Sequence, residues 1–189
     1  MSKIFDPQVV NPIITKSIND LITAKGGLVP TKDLEIATQP IEEYEGRMRV
    51  NATEIFDVPV YIANTNFYLN KGDMQGHRAR GAMVVYVDME VADKVFKAAG
   101  LQVPYDEDDG SMEDLCGQLC QIFTQSIKDG LESAGFISLE ASTPFTFKNT
   151  ISEGVEFSKD QQEKQRLSCY YLKHKALVVD WTLAPIPRK

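Results

Sequence analysis

The pattern of apolar and polar positions is clearest over residues 109–135, where it predicts one long amphipathic helix. At about 100° per residue, one face carries apolar side chains: Leu115, Cys116, Leu119, Cys120, Ile122, Phe123 and Ile127. The opposite face carries polar side chains: Asp114, Gln118, Gln121, Gln125, Lys128, Asp129 and Glu132. Ser111 is a suitable cap with Asp114 as its partner, and Gly135 offers a left-handed residue to end the helix. The pattern therefore predicts a helix that is buried on one side and wet on the other.

A first helix is predicted over residues 11–23, where isoleucine and leucine recur at helical spacing. Asn11 would cap it, Pro12 would take the first helical position, and Gly26 with Gly27 would stop it. Its polar residues form no evident site, so we expect it only to pack.

Runs of β-branched and aromatic residues predict extended chain over residues 58–64 and 65–69, with Pro59 at an edge or at a strand start. Residues 70–80 hold a local basic cluster but lack the spacing of a phosphate-binding loop, so a solvated hairpin loop is predicted there. The apolar run over residues 81–87 predicts a central strand that is covered on both faces. Asp88 then caps a predicted helix that runs to about residue 99.

After the long helix, short strands are predicted over residues 136–139 and 144–148, and longer strands over residues 166–172 and 176–183. Residues 158–166 are polar enough to predict exposure. Strands and helices are grouped rather than alternating, so the predicted fold class is α+β, a largely antiparallel sheet packed against about three helices. No linker divides the chain, and we expect a single domain over residues 1–189.

Composition narrows the classes of function. The chain has 189 residues, 43% of them hydrophobic, and a formal net charge of −7. That charge repels polyanions, so no nucleic-acid or anionic-membrane partner is expected. No apolar run reaches the roughly 20 residues of a membrane span, and residues 1–8 lack the features of a signal peptide. We therefore expect a cytoplasmic protein.

Three cysteines and two histidines limit the metal chemistry. Cys116 and Cys120 lie one helical turn apart on the apolar face, which favours small core residues over ligands. A zinc site would need more ligands than His77 and His174 add. No metal site and no bound cofactor are expected in this chain.

Gln118, Gln121 and Gln125 form a ridge of amides on the polar face, because they follow one another at intervals of one turn. Glutamine is a good helix former, so an ordinary solvated face is one interpretation. A second interpretation begins from residues 117–121, Gly-Gln-Leu-Cys-Gln, which follow an acidic loop. They resemble the Gly-Glu-x-x-Asn motif on the phosphatase helix of the CheC/CheX family of bacterial chemotaxis proteins.

The resemblance extends in order over residues 9–183. Its landmarks are the opening helix, strands that end in the apolar run, a step at Asp88 into a second helix, the motif helix, and a strand that opens at Thr143 and Pro144. It implies a CheX-like fold. Because members of the family often pair, it also implies a homodimer.

The resemblance further implies a partner, the receiver domain of a response regulator, whose phospho-aspartate is the substrate and whose own acidic pocket holds Mg²⁺. In the family, the Glu pairs with a lysine of the regulator and the Asn orients the attacking water. These roles fall on Gln118 and Gln121, the candidate catalytic residues. Asp114 and Gln125 lie on the same face and are candidate partner contacts.

Both working positions are neutral in this chain. Gln118 keeps the shape of Glu without its charge, and a neutral hydrogen bond is roughly half as strong as a charge-assisted one. Gln121 keeps the amide of Asn on a longer stem, and misplacement by roughly 1 Å can cost a hundredfold in rate. Two hypotheses follow: a weak aspartyl-phosphate phosphatase, and a non-catalytic interaction module of the same fold. A third, an enzyme for a small molecule in a cleft, lacks a Ser/His/Asp set, a Cys/His pair and a nucleotide loop.

Overall fold

The computed structural model describes residues 7–24, 28–106, 108–150 and 152–189. Its helices are α1 (Pro7–Ile22), α2 (Lys71–Gln75), α3 (Ala92–Ala98) and α4 (Asp109–Ser133). Its strands are β1 (Glu35–Pro40), β2 (Glu43–Tyr44), β3 (Arg47–Met48), β4 (Val60–Tyr68), β5 (Gly81–Asp88), β6 (Glu140–Ala141), β7 (Phe145–Lys148), β8 (Glu163–Tyr171) and β9 (His174–Leu183). Short 3-10 helices lie at Ala52–Glu54 and Met89–Val91. The stop predicted at Gly26 and Gly27 lies outside the described residues.

Within these ranges, seven strands form one sheet in the order β1-β8-β9-β5-β4-β6, and β7 pairs with β4 beside β6. Every neighbouring pair is antiparallel. β2 and β3 form a separate two-stranded ribbon. Three of the described helices, α1, α3 and α4, have seven or more residues. The predicted α+β class with a largely antiparallel sheet is confirmed.

The strand predicted at the centre, β5, lies between β4 and β9, and all eight of its residues are buried. β4 is one buried strand of nine residues, where the sequence predicts two extended stretches. Pro59 directly precedes β4, which suits a residue that has no N–H to give to the ladder. Residues 70–80 join β4 to β5 and are mostly exposed, as predicted, but part of them forms the short helix α2.

The sheet carries a hydrophobic core on each face. α1, α3 and α4 cover one face, where Trp181 and Phe123 are fully buried. On the other face, Met48 of β3 and Phe56 from the segment before β4 join a core with Val84 of β5. No helix among the described residues is long and apolar enough to cross a membrane.

The start of α1 differs from the prediction. The helix begins at Pro7, so Pro12 lies inside it and Asn11 is not its cap. Proline at the first helical position loses no helical hydrogen bond, which explains why Pro7 can begin the helix. The Asn11 side chain has another role, because its Oδ1 accepts a hydrogen bond of 3.2 Å from the indole N–H of Trp181.

The sequence predicts a single helix after β5, with Asp88 as its cap. The structure has the 3-10 helix Met89–Val91 first and then α3, so Asp88 caps the 3-10 turn by accepting the Glu90 N–H. α3 ends at Ala98, close to the predicted end at about residue 99, and Gly100 follows it with φ of +80°.

Two predictions in the last third of the chain are wrong. Residues 136–139 form no strand, because their pairing with the C-terminal segment is limited to an isolated bridge between Phe136 and Arg188 and a hydrogen bond of 3.1 Å from the Ile137 N–H to the Pro187 carbonyl. Residues 158–166 are not wholly exposed, because β8 begins at Glu163 and Lys164 is buried. The Lys164 ammonium lies 2.9 Å from the carboxylate of Asp180, which is fully buried. A polar sequence pattern cannot reveal such a pairing.

Candidate functional site on the longest helix

The cap of α4 lies three residues before the predicted cap, Ser111, and the helix begins at Asp109. Asp108 is the cap, since its Oδ1 accepts the Ser111 N–H at 3.0 Å and its Oδ2 accepts the Ser111 hydroxyl at 2.6 Å. These bonds from Ser111 lower the pKa of the Asp108 carboxyl. Ser111 is therefore a donor to the cap, and the predicted box between Ser111 and Asp114 is not formed. The predicted end is confirmed, because Gly135 follows α4 with φ of +86°.

The predicted faces of α4 are confirmed. Six of the seven apolar positions are buried and Ile122 is half-buried. Cys116 and Cys120 are fully buried thiols, and their burial raises the pKa of Cys116 well above its usual range and that of Cys120 to about 12. Both cysteines are core residues, as the sequence predicts.

Asp114, Gln118, Gln121 and Gln125 all lie exposed on the outer face of α4, and we call them the amide ridge. At 3.6 residues per turn, the four side chains fall within an arc of about 60° and extend about 16 Å along the axis. In the described part of the chain, no side-chain hydrogen bond or ion pair occupies Asp114, Gln118 or Gln121. The Gln125 amide donates to Asp129 Oδ1 at 2.7 Å. Three of the four groups are thus free to bind a partner.

Gly117 fixes how closely the ridge lies against the sheet. A Cβ at this position would lie 2.9 Å from Thr146 Cγ2 on β7, closer than such atoms normally approach. The absence of a side chain therefore allows α4 to sit directly on β7. This close approach gives a physical reason for the glycine that precedes Gln118.

A second contact anchors the first turn of α4. Asp109 accepts a hydrogen bond of 3.0 Å from the Tyr61 hydroxyl on β4, and Lys148 at the end of β7 donates to its other oxygen. The Lys148 bond, followed by the Tyr61 bond, holds the pKa of the Asp109 carboxyl below its usual value. Burial, with Asp109 as the next cause, raises the pKa of Tyr61 to about 12. Sequence reasoning missed this anchor, because its partners lie 48 and 39 residues from Asp109.

The chemistry that the amide ridge offers is hydrogen bonding rather than covalent attack. Each Gln amide presents two donors and one acceptor, and Asp114 adds one carboxylate that can bind a cation. None of the four is a nucleophile like Ser or Cys. The ridge is suited to docking a partner and to orienting water, whereas any reacting group must come from the partner.

Comparison with known proteins shows which solved structures this fold resembles. No family model matches the chain, and no curated protein matches it. Among solved structures, CheX from Vibrio vulnificus matches with a TM-score of 0.53 and 14% identity, over 92% of this chain and 97% of the other. A putative chemotaxis protein from Desulfovibrio vulgaris Hildenborough gives 0.54 and 15%, over 93% and 96%. A CheC-like superfamily protein from Shewanella sp. PV-4 gives 0.51 and 14%, over 94% and 97%.

These matches define the protein first by its architecture, an antiparallel sheet with a long amphipathic helix packed on one face. More narrowly, the chain has the fold of the CheC/CheX chemotaxis proteins. The resemblance that starts from residues 117–121 is confirmed at the level of the fold. The roles of Gln118, Gln121, Asp114 and Gln125 stay predictions.

Proposed function

We propose that the amide ridge docks the phosphorylated receiver domain of a response regulator and acts on its aspartyl phosphate. The observation that carries the proposal is that Gln118 and Gln121 are exposed and unpartnered on α4, in the positions that correspond to the Glu and Asn of the CheX-type motif. The shared fold and the placement of Gly117 against β7 support the same assignment.

Gln121 is assigned the central role, to orient the attacking water with its amide. Phosphoryl transfer needs a positioned nucleophile and neutralised charge, with little covalent help from the enzyme. The receiver supplies the Mg²⁺ and the phospho-aspartate. Gln118 accepts a hydrogen bond from a lysine of the receiver, and Asp114, one turn before it, adds the negative charge that Gln118 lacks. Gln125 extends the contact by one more turn.

The test is the half-life of phosphate on a phosphorylated receiver domain mixed with the full chain. The half-life should shorten with the wild type and return to the receiver's own value with Gln121→Ala. Gln162→Ala is the matched control, because Gln162 is an exposed amide outside the ridge. An unchanged half-life with every receiver of the organism rejects the phosphatase assignment.

A second candidate function is a non-catalytic interaction module that binds a receiver domain through the same ridge. It is favoured by one observation, that both working positions carry a neutral amide instead of Glu and Asn. Binding measured by calorimetry would then be weakened by Gln118→Ala and Gln121→Ala, although the half-life of the phosphate stays unchanged in all variants. Acceleration by the wild type rejects this candidate.

The proposed assembly is a homodimer, as the resemblance implies. In the described sheet, β1 lies at one edge and β6 and β7 lie at the other, so both edges present backbone groups that a second copy can pair with. Analytical ultracentrifugation would give twice the chain mass for a dimer and the single chain mass otherwise.

A further inference from the structure

Asp88, Glu90 and His174 meet where β5 ends and β9 begins, and we call them the strand-end cluster. Each offers one ligand atom, and the three atoms lie within 4.8 Å of one another. Asp88 is buried with 2% of its side chain exposed, His174 has 15% exposed, and Glu90 has 57% exposed. Asp88 and His174 thus lie on the buried side of the cluster, and Glu90 lies on its solvent-exposed side.

The two inner members of this cluster are fixed by the sheet and its turns. Asp88 is the last residue of β5, and its Oδ1 accepts the Glu90 N–H at 2.8 Å, which orients its other oxygen toward His174. His174 is the first residue of β9 and pairs with Tyr171 of β8 across a tight turn. The neighbouring Lys175 donates to the Ile55 carbonyl, so its charge is occupied elsewhere.

The ring nitrogen of His174 faces two carboxylates. His174 Nδ1 lies 3.0 Å from Asp88 Oδ2 and 3.5 Å from Glu90 Oε2. A single N–H makes one good hydrogen bond, to Asp88, and it leaves Glu90 with only a distant attraction. A divalent cation at the centre of the cluster would bind all three groups and neutralise both carboxylates.

We propose that the strand-end cluster is a binding site for Zn²⁺, with His174 Nδ1 and one oxygen each of Asp88 and Glu90 as ligands. A tetrahedral zinc with bonds of about 2.0 Å has neighbouring ligand atoms about 3.3 Å apart. The two separations at His174, 3.0 and 3.5 Å, lie on either side of that value. The exposed Glu90 side chain is free to rotate inward, and water completes the fourth position.

The ligand set selects the class of metal. Imidazole with carboxylates suits zinc, whereas Mg²⁺ and Ca²⁺ prefer oxygen ligands throughout. On binding, the metal takes the lone pair of Nδ1, and the ring proton is carried on Nε2. The zinc would join the end of β5 to the β8–β9 turn. The bound zinc would thereby link the ends of two central strands, β5 and β9. The site is separate from the amide ridge.

The test is calorimetric titration of Zn²⁺ into the untagged, metal-free full chain. The wild type should bind one Zn²⁺, and His174→Ala should weaken the binding by more than about tenfold, as loss of a ligand does at least as much as loss of an outer partner. His77→Ala is the matched control, since His77 lies beside Glu156 elsewhere on the surface and its variant should bind like the wild type. Cys116, Cys120 and Cys169 are fully buried in the core, so their thiols do not compete for the metal.

Glu90→Gln guards against misfolding as an explanation, because Glu90 is exposed and its backbone N–H contact to Asp88 is kept. This variant should also bind Zn²⁺ more weakly, with the unfolding temperature in the absence of metal unchanged. Zinc should raise the unfolding temperature of the wild type and of His77→Ala. The proposal is overturned if the wild type does not bind Zn²⁺, or if His174→Ala and Glu90→Gln both bind it as tightly as the wild type does. Either result shows that the cluster is an ordinary histidine–carboxylate contact.

Discussion

At the scale of single residues, the amide of Gln121 decides how fast the proposed reaction runs. Its stem is one methylene longer than that of the Asn in the resembling motif, which moves the amide by about one bond length. Since roughly 1 Å of misplacement can cost a hundredfold, we expect Gln118→Glu with Gln121→Asn to shorten the half-life of receiver phosphate relative to the wild type by roughly tenfold or more. Stopped-flow or radiolabel decay measures it.

The two single variants separate the contributions. Gln118→Glu should mainly tighten docking, because a charge-assisted bond to a lysine replaces a neutral one. Gln121→Asn should mainly raise the rate of phosphate loss from the receiver when this protein is present at a saturating concentration. If the double variant leaves both quantities at the wild-type level, the ridge does not meet the phosphate in the way proposed.

Gly117 is a packing requirement as well as a motif residue. In Gly117→Ala, the new Cβ would meet Thr146 Cγ2 at 2.9 Å. Overpacking costs about 1–3 kcal/mol and the better helix propensity of Ala returns about 1 kcal/mol. We expect a net loss of about 1 kcal/mol in the free energy of unfolding, measured by urea titration. Adding Thr146→Ser removes the opposing methyl and should restore stability; if it does not, steric contact is not the cause.

At the scale of elements, α4 shows what sequence pattern can and cannot predict. Its faces and its end at Gly135 follow from 3.6-residue periodicity and from glycine's freedom at positive φ, and both are local properties. Its start was missed by three residues, because Asp108 and Ser111 are both good capping residues and only the geometry decides which one caps. The contacts of Asp109 with Tyr61 and Lys148 depend on strands that are distant in sequence, so no local pattern predicts them.

The Asp109 anchor predicts a pH dependence. Lys148, and then Tyr61, lower the pKa of Asp109 in the folded state below its ordinary value of 3.8. A lowered folded pKa stabilises the fold above the unfolded pKa, and this contribution is lost as the pH falls through the folded pKa. We therefore expect the stability of the wild type to fall more steeply than that of Asp109→Asn as the pH drops from about 5 to 3.

Urea unfolding at each pH gives the two curves, and their difference isolates Asp109 from the other carboxylates. Asp106→Asn is the control, because Asp106 is exposed in the preceding loop and should leave the wild-type slope unchanged. Parallel curves for the wild type and Asp109→Asn contradict the anchor.

At the scale of the whole molecule, the sequence sufficed for the class of fold but not for the polar contacts inside it. The grouping of strands and helices predicts α+β, and the apolar run predicts β5 at the centre. The pairing of Lys164 and Arg166 with Asp180 was not predictable, because charged residues in a strand read as solvent-facing. The contact between Asp88 and His174 was not predictable for another reason, because 86 residues separate them in the sequence.

Asp180 on β9 forms a buried cluster of charges with two basic residues of the neighbouring strand β8. It is fully buried on β9, accepts two hydrogen bonds from Arg166 at 2.6 and 2.7 Å, and lies 2.9 Å from Lys164. Removing one partner of a buried ion cluster leaves uncompensated charge, which typically costs about 3–5 kcal/mol. We expect Asp180→Asn to lose about that much in urea unfolding. Asp33→Asn, at an exposed position, should be neutral.

The reason for this loss can be separated from the loss of a contact. If uncompensated charge is the cause, replacing all three members with apolar residues, as in Asp180→Leu with Lys164→Met and Arg166→Met, should recover most of the stability, because no charge is then left buried. If instead the triple variant is less stable than Asp180→Asn, the cluster stabilises the sheet through its own hydrogen bonds. Because α4 packs on the opposite face of the sheet from Tyr86, which lies near Asp180, receiver binding by the folded triple variant should match the wild type.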